Sequence, residues 1–188
     1  NGNTNLIESA FTDMGLSDYE VCMDGIEEVQ TSYYCSGYGQ LPQPNSEGVV
    51  TNYNGPHASN KENGIQGKFE PTKAGMGLND SKMGPELGAA YALRDFATAD
   101  NPIYFIKMAS GGSGFAQSGS SAEGKNWEVK TADGTVVEHN LYSDFLKPYL
   151  QNNLDLIEQE TGKKPVIKGW LWHQGESDSA DEKCAVYA

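Results

Sequence analysis

The densest group of chemically capable side chains lies in one short segment near the end of the chain. Trp172–Asp178 reads Trp-His-Gln-Gly-Glu-Ser-Asp, which places five side chains that hydrogen-bond or titrate around one glycine. Gln174 offers a side-chain amide donor of the kind that stabilises a developing oxyanion. Glu176 and Asp178 can orient neighbouring groups, and His173 can act as a base or contact a substrate. A helix N-terminus capped by the serine or the aspartate is the competing structural interpretation.

A glycine pair forms the second candidate element. Gly111 and Gly112 lie within the run Ser-Gly-Gly-Ser-Gly over residues 110–114. Exposed backbone N–H groups in such a loop are preorganised donors, which an oxyanion requires. A plain turn without a chemical role is the alternative interpretation of a glycine pair.

Two helices are expected to position these loops. The first begins at Pro85, whose missing N–H is not needed there, and Glu86 in its first turn meets the positive end of the helix dipole. It should end near Asp100, before a proline. The second spans roughly 142–161, with Gly162 placed as its C-terminal cap.

Two nearly continuous apolar runs, Ile103–Ala109 and Val166–Trp172, each precede one of the candidate loops. Such runs suit strands that are buried on both faces of a parallel sheet. Alternation of helix and strand predicts right-handed βαβ units, in which ligands bind at the carboxyl ends of the strands. Both loops, 110–114 and 173–178, would lie at those ends.

The rest of the chain carries weaker signals. Residues 1–80 are rich in Gly, Asn, Pro and Tyr and are predicted to be irregular, whereas 81–188 form the core βαβ part of a single, partial domain spanning 1–188. Shorter strands are expected at Thr31–Tyr34, at Val49–Tyr53, and in an inserted hairpin over 128–138 that turns at Asp133-Gly134.

Charge and hydropathy exclude two classes of partner. The 188 residues include 13 basic and 26 acidic side chains, for a formal charge of −13. This charge repels nucleic-acid phosphates and anionic membrane surfaces. No apolar run approaches the roughly 20 residues that a membrane helix needs. We therefore expect neither nucleic acid nor a membrane as a partner, and the acidic surface mainly favours solubility.

Composition and cysteine content bear on the compartment. Abundant Asn, Gly, Ser and Tyr with few Lys and Arg favour an extracellular, secreted protein. Cys22, Cys35 and Cys184 match no zinc or redox spacing. A Cys22–Cys35 disulfide and three unlinked thiols remain equally consistent with the sequence. The chain begins at Asn1 without an initiator Met or a signal peptide, and we expect it to continue beyond both ends.

Four segments in the same order resemble a known family. Residues 172–178 resemble the W-x-Q-G-E-S-D signature of the SGNH-type carbohydrate acetylesterases, which include family 6 acetylxylan esterases and sialate O-acetylesterase-like domains. Met83–Gly88 resembles the F-G-P-E-L element, and Ile106–Ser113 resembles the I-K-x-A-x-G-G-[ST] block. Trp127 and Leu141-Tyr142 resemble the residues that follow in the family. The resemblance runs from about residue 66 to the end.

The resemblance implies a three-layer α/β/α sandwich around a parallel sheet, without a cofactor or a metal. It places the backbone N–H of Gly112 and the side chain of Gln174 in an oxyanion hole, with Glu176 in support. His173, Gly111 and Glu86 would contact the substrate, an acylated carbohydrate.

Two family elements are missing from the 188 residues. The family's nucleophile is the Ser of a G-Q-S-N element on the first strand, and its base lies in a D-x-x-H element; neither occurs here. Ser113 and Ser36 do not match the nucleophile's position, and no Gly-x-Ser-x-Gly elbow is present. We expect the intact parent protein to supply both elements and to be a serine esterase. A non-catalytic extracellular glycan-binding or structural protein that retains the fold is the alternative.

Overall fold

The computed structural model describes residues 2–36, 57–115 and 126–179, which form two compact units of mixed α/β structure. The first unit contains the described residues up to Ala109, and the second contains those from Ser110 onward. The α/β prediction is confirmed. The pairings of strands β1 to β5 are antiparallel, and a three-layer sandwich around a parallel sheet is not confirmed.

The first unit is built on one long strand, β2 (Ile26–Ser36). It contains the predicted strand at Thr31–Tyr34, whereas Val49–Tyr53 lies outside the described residues. Its neighbours in the sheet are β3 (His57–Ala58), β4 (Glu70–Thr72) and β6 (Ile103–Ser110). A separate two-stranded ribbon joins β1 (Gly2–Asn3) to β5 (Lys82–Met83).

Three helices pack on this sheet. They are α1 (Ile7–Asp13), α2 (Glu20–Asp24) and α3 (Glu86–Leu93). They bury a common apolar core with β2, which consists of Ile7, Phe11, Cys22, Ile26, Val29, Leu87 and Ala90. The first 80 residues, predicted to be irregular, therefore contain two helices and the central strand. Their apolar side chains are spaced too unevenly to show a period in the sequence.

Helix α3 begins where the sequence predicts, since Pro85 precedes it and Glu86 lies in its first turn. It ends earlier than the predicted Asp100, because a 3-10 turn over Arg94–Phe96 closes it. Strand β6 also forms where predicted, but its residues are half-buried rather than fully buried. An apolar run indicates a strand without showing how completely its two faces are covered.

The second unit is organised by α4 (Lys147–Thr161), which follows a π-helical turn over Tyr142–Leu146. The predicted helix over 142–161 is confirmed. Gly162 ends it in the left-handed conformation at φ 67°, with its N–H donating to the Glu158 carbonyl at 2.9 Å. The π-helical turn buries Phe145 and Leu146, and α4 buries Tyr149 and Ile157.

Two predicted elements of this unit differ from the structure. Val166–Trp172 is not a buried strand: it has no ladder partner among the described residues, and its side chains are exposed, Leu171 by 75%. A strand needs a neighbouring edge for its backbone groups, which an apolar run cannot specify. The hairpin keeps its turn, with Gly134 at φ 88°, but its arms meet in one isolated bridge, Lys130 to Val136.

A buried ion pair joins α3 to β6 in the first unit. Lys107 Nζ lies 2.6 Å from Glu86 Oε1, and the two side chains are 15% and 8% exposed. Lys107 also donates to the Met76 carbonyl at 2.6 Å, and the Gly84 N–H donates to Glu86 Oε1 at 3.0 Å. Any side chain at Gly84 would collide with the Glu86 carboxylate. The pair thus fixes the start of α3 against the strand that precedes the glycine loop.

Lys107→Met should lower the free energy of unfolding by about 3–5 kcal/mol, because it leaves the buried Glu86 carboxylate without its cation. Lys73→Met is the matched control, since Lys73 makes a 3.9 Å pair with Glu70 while 43% exposed. The control should cost less than about 1 kcal/mol. Urea unfolding measures both values, and equal losses for the two variants would contradict the role given to the buried pair.

The cysteines in the first unit are not linked. Cys22 and Cys35 are free and buried, and Cys184 lies outside the described residues. Burial raises the pKa of the Cys35 thiol to about 11 and also raises the pKa of the Cys22 thiol. Little thiolate is therefore present at neutral pH, and thiolate is the form that makes a disulfide.

We expect the native protein to show no Cys22–Cys35 disulfide. Denaturation without reductant, followed by alkylation and peptide mapping, should label both cysteines fully. In native protein the labelling of Cys35 should be slow at pH 7 and should accelerate as the pH rises towards 11. Recovery of a linked Cys22–Cys35 peptide as the main product would refute this expectation.

Candidate functional site

The two predicted loops meet in the second unit through one buried carboxylate. The Phe115 backbone N–H donates to both Asp178 oxygens, at 3.1 Å to Oδ1 and 2.9 Å to Oδ2. Asp178 is 2% exposed and ends a short 3-10 turn, Glu176–Asp178. Its side chain bonds to another loop rather than capping a helix. The competing interpretation of this segment as a capped helix start therefore does not describe the contacts of Asp178.

Gln174 lies between the same two loops. Its Nε2 donates to Asp178 Oδ2 at 2.6 Å and to the Ser113 backbone carbonyl at 3.1 Å. A primary amide has two N–H donors, so each has an acceptor in this conformation. The amide is therefore held firmly beside the glycine loop. Its predicted role as an oxyanion donor stays a prediction, and it requires one of these two bonds to be exchanged for the substrate.

The glycine loop is a tight turn with its buried side fixed. Gly112 has φ 73°, a left-handed conformation that side-chain-bearing residues rarely adopt. Gly111 and Gly112 are both exposed, whereas Ser113 is buried. The Ser113 hydroxyl donates to the Ser110 carbonyl at 2.9 Å and accepts from Trp127 Nε1 at 3.0 Å. The turn therefore leaves two glycines exposed beside an anchored serine.

Those contacts also bear on Ser113 as a nucleophile. Its described partners are a carbonyl and an indole N–H, and neither can remove the hydroxyl proton. Ser36 ends strand β2 in the first unit, where it is 3% exposed. The geometry gives neither serine a catalytic base among the described residues.

Two tryptophans support the loops. Trp127 and Trp172 pack edge to face with ring centroids 5.0 Å apart. Since Trp127 bonds to Ser113, this contact connects the start of the 172–178 segment to the glycine loop. Edge-to-face aromatic pairs contribute about 0.5–1.5 kcal/mol beyond area burial. Trp172 remains 42% exposed.

His173 and Glu176 form an exposed pair beside the buried bonds. His173 Nε2 lies 3.0 Å from Glu176 Oε1, and the side chains are 83% and 75% exposed. The backbone N–H of Glu176 itself, with a smaller contribution from His173, holds the pKa of this carboxyl below its usual value. Glu176 is therefore ionised at neutral pH and orients the imidazole. Gly175, at φ 146°, lets the backbone turn between the two.

The remaining predicted residue, Glu86, lies in the first unit. Its carboxylate is engaged by Lys107 and the Gly84 N–H, as described above. Its predicted contact with substrate stays a prediction. In the described residues no group of three or more His, Cys, Asp and Glu side chains is placed to hold a metal ion. None of the described helices combines the length and apolarity needed to cross a membrane.

Sequence reasoning missed the central part that Asp178 plays. The contact between Phe115 and Asp178 joins residues 63 positions apart. No local pattern indicates such a bond. The sequence signals were the density of polar side chains in residues 172–178 and the position of both loops directly after an apolar run.

Most of the chain matches one known protein family. A family described as carbohydrate esterase, sialic acid-specific acetylesterase, matches residues 36–188. No curated protein matches the chain, and no solved structure does. The match spans most of the chain and includes both loops, Trp127 and Asp178. The chain belongs to the family of carbohydrate esterases that includes the sialic acid-specific acetylesterases.

Proposed function

We propose that the protein carrying this chain is a serine carbohydrate O-acetylesterase, which removes acetyl groups from a glycan or polysaccharide. The observation that carries the proposal is the placement of Gln174 beside the anchored Gly111-Gly112 turn, in a chain of this family. Ester hydrolysis passes through a tetrahedral intermediate whose oxyanion needs preorganised donors. A side-chain amide and a backbone N–H are such donors.

The donors in this proposal are the Gly112 backbone N–H and Gln174 Nε2. The bond from Nε2 to the Ser113 carbonyl is 3.1 Å long, and the bond to Asp178 is 2.6 Å long. A charge-assisted bond is the stronger of the two kinds. We therefore assign the exchange to the longer bond: Nε2 keeps Asp178 and turns its other hydrogen from Ser113 to the oxyanion.

In this proposal the exposed pair of His173 and Glu176 lies where the sugar binds. His173 and Glu176 are exposed enough to reach a bound sugar, and the carboxylate fixes the imidazole orientation. Gly111 would contact the substrate through its backbone.

In this proposal the intact parent protein supplies the serine nucleophile and its base. A serine nucleophile and an Asp-His base are absent as motifs from the 188 residues. The three-layer sandwich with a parallel sheet is likewise proposed for the intact protein. Composition supports an extracellular location, and the formal charge of −13 disfavours nucleic acid as a partner. The family match supports an acylated carbohydrate as the partner. Peptide sequencing of the intact protein for a Gly-x-Ser element upstream and an Asp-x-x-His element downstream tests this part.

The missing motifs also favour a second candidate function, a non-catalytic glycan-binding or structural protein. Such a protein would use the same loops to bind an acetylated sugar without cleaving it. The two functions separate in one experiment. The first releases acetate from O-acetylated sialic acid or acetylated xylan, whereas the second binds such sugars and leaves them intact.

Gln174→Ala in the full-length protein should lower the turnover number by about 10²–10³, the usual loss for one oxyanion donor. Gln151→Ala is the matched control, because Gln151 bonds only to its exposed helix neighbour Asp155 in the contacts described, at 2.7 Å. It should leave turnover unchanged. Acetate release from an O-acetylated sugar measures both. An active parent that is insensitive to Gln174→Ala would remove Gln174 from the mechanism.

A further inference from the structure

Asp178 is the buried acceptor at which the two loops of the site meet. It is 2% exposed, and it accepts from the Phe115 backbone N–H and from Gln174 Nε2. Neither the family match nor the oxyanion assignment gives this side chain a function. Asp178 nevertheless bonds to Gln174 and to the residue that follows the glycine loop, so it can affect the position of both proposed donors.

A glutamine amide has two orientations of nearly the same shape, which exchange the positions of Nε2 and Oε1. A carboxylate oxygen accepts hydrogen bonds, so it attracts the N–H end and repels the carbonyl end. At 2.6 Å from Gln174, Asp178 Oδ2 therefore selects the orientation that turns Nε2 towards the glycine loop. The Ser113 carbonyl favours the same orientation, but more weakly at 3.1 Å.

The contribution of Ser113 ends when the substrate arrives. If the oxyanion takes the hydrogen that Ser113 now accepts, Asp178 still fixes the Nε2 end. The same carboxylate holds Phe115, three residues after Gly112 in the loop. Both proposed donors are thus positioned relative to one side chain.

We propose that Asp178 is a positioning residue, which orients the Gln174 amide and fixes the glycine loop while the Gln174 hydrogen turns from the Ser113 carbonyl to the oxyanion. The inference rests on the proposed esterase function. Asp178 touches neither substrate nor reacting atoms in this role. Its effect on turnover passes through Gln174 and, by way of Phe115, through the glycine loop. A misplacement of about 1 Å in such donors costs on the order of 10²-fold in rate.

The first test is a double-mutant cycle in the full-length protein. Asp178→Asn replaces a carboxylate, which only accepts hydrogen bonds, with an amide that also donates. The Gln174 carbonyl can then accept from residue 178, so the flipped orientation of Gln174 is permitted. The substitution should lower kcat about 10- to 100-fold and change KM less than about twofold. In a Gln174→Ala background the same change should lower kcat clearly less, because only its effect on the glycine loop remains. Equal effects in the two backgrounds, or an unchanged kcat in the first, would overturn the proposal.

The matched control is Asp155→Asn. Asp155 accepts from Gln151 Nε2 at 2.7 Å, so it repeats the Asp–Gln chemistry on the exposed surface of the same unit. It should leave kcat unchanged in both backgrounds. Asp178→Glu, which keeps the acceptor on a longer side chain, should recover part of the turnover that Asp178→Asn loses. Recovery shows that a carboxylate, which only accepts hydrogen bonds, is required rather than a side chain of particular volume.

A second measurement needs neither activity nor a variant at Asp178. In the nitrogen-15 spectrum of the unmodified protein, the Gln174 side-chain amide, assigned by its loss in Gln174→Ala, should show one hydrogen shifted downfield and slow to exchange. The exposed Gln151 amide should lie near random-coil values and exchange quickly. Random-coil behaviour at Gln174 would overturn the proposal even if every Asp178 variant failed to fold. If no ester is hydrolysed but Gln174 is protected, the proposed function fails while the orientation by Asp178 stands.

Discussion

The hydrogen bonds that Asp178 accepts from Phe115 and Gln174 are the constraint on which the described site depends. Phe115 and Asp178 are 63 positions apart, so their contact closes a long loop at a cost in conformational entropy. Burial makes the bonds worth more than surface bonds, since an unpaired buried acceptor costs about 1–3 kcal/mol or more. The fold therefore keeps the two loops together or leaves a buried carboxylate unsatisfied. Loop position and amide orientation are linked for this reason.

The glycine loop shows how the same unit combines exposure with rigidity. Gly112 adopts a left-handed conformation that other residues rarely adopt, and Gly111 and Gly112 stay exposed in the turn. On the opposite side of the turn, the Ser113 hydroxyl bonds to the Ser110 carbonyl and to the Trp127 indole, and these bonds hold the turn in place. Donors held in this way need no reorganisation when charge develops. A flexible glycine pair alone would not have this property.

Elements with local signals were predictable from the sequence, and those that depend on distant partners were not. The start of α3 at Glu86, the cap at Gly162 and strand β6 follow from residues within one or two turns of each feature. Val166–Trp172 has the apolar pattern of a strand, but a strand exists only where another edge accepts its backbone groups. The candidate loops were identified by their polar residues. The bond that joins them through Asp178 was not, because no pattern encodes a partner 63 residues away.

Glu86 and Asp178, the two buried carboxylates among the described residues, illustrate how a partner determines what an acidic side chain does. Glu86 meets the cation of Lys107, so its main effect is Coulombic and joins two elements of the first unit. Asp178 meets the N–H groups of Phe115 and Gln174, so its effect is directional. A charge pair tolerates small rotations of either group, whereas a hydrogen-bond acceptor decides which end of an amide faces it. Directional control is what an oxyanion donor requires, and the bonds to Asp178 supply it for Gln174 in the proposed chemistry.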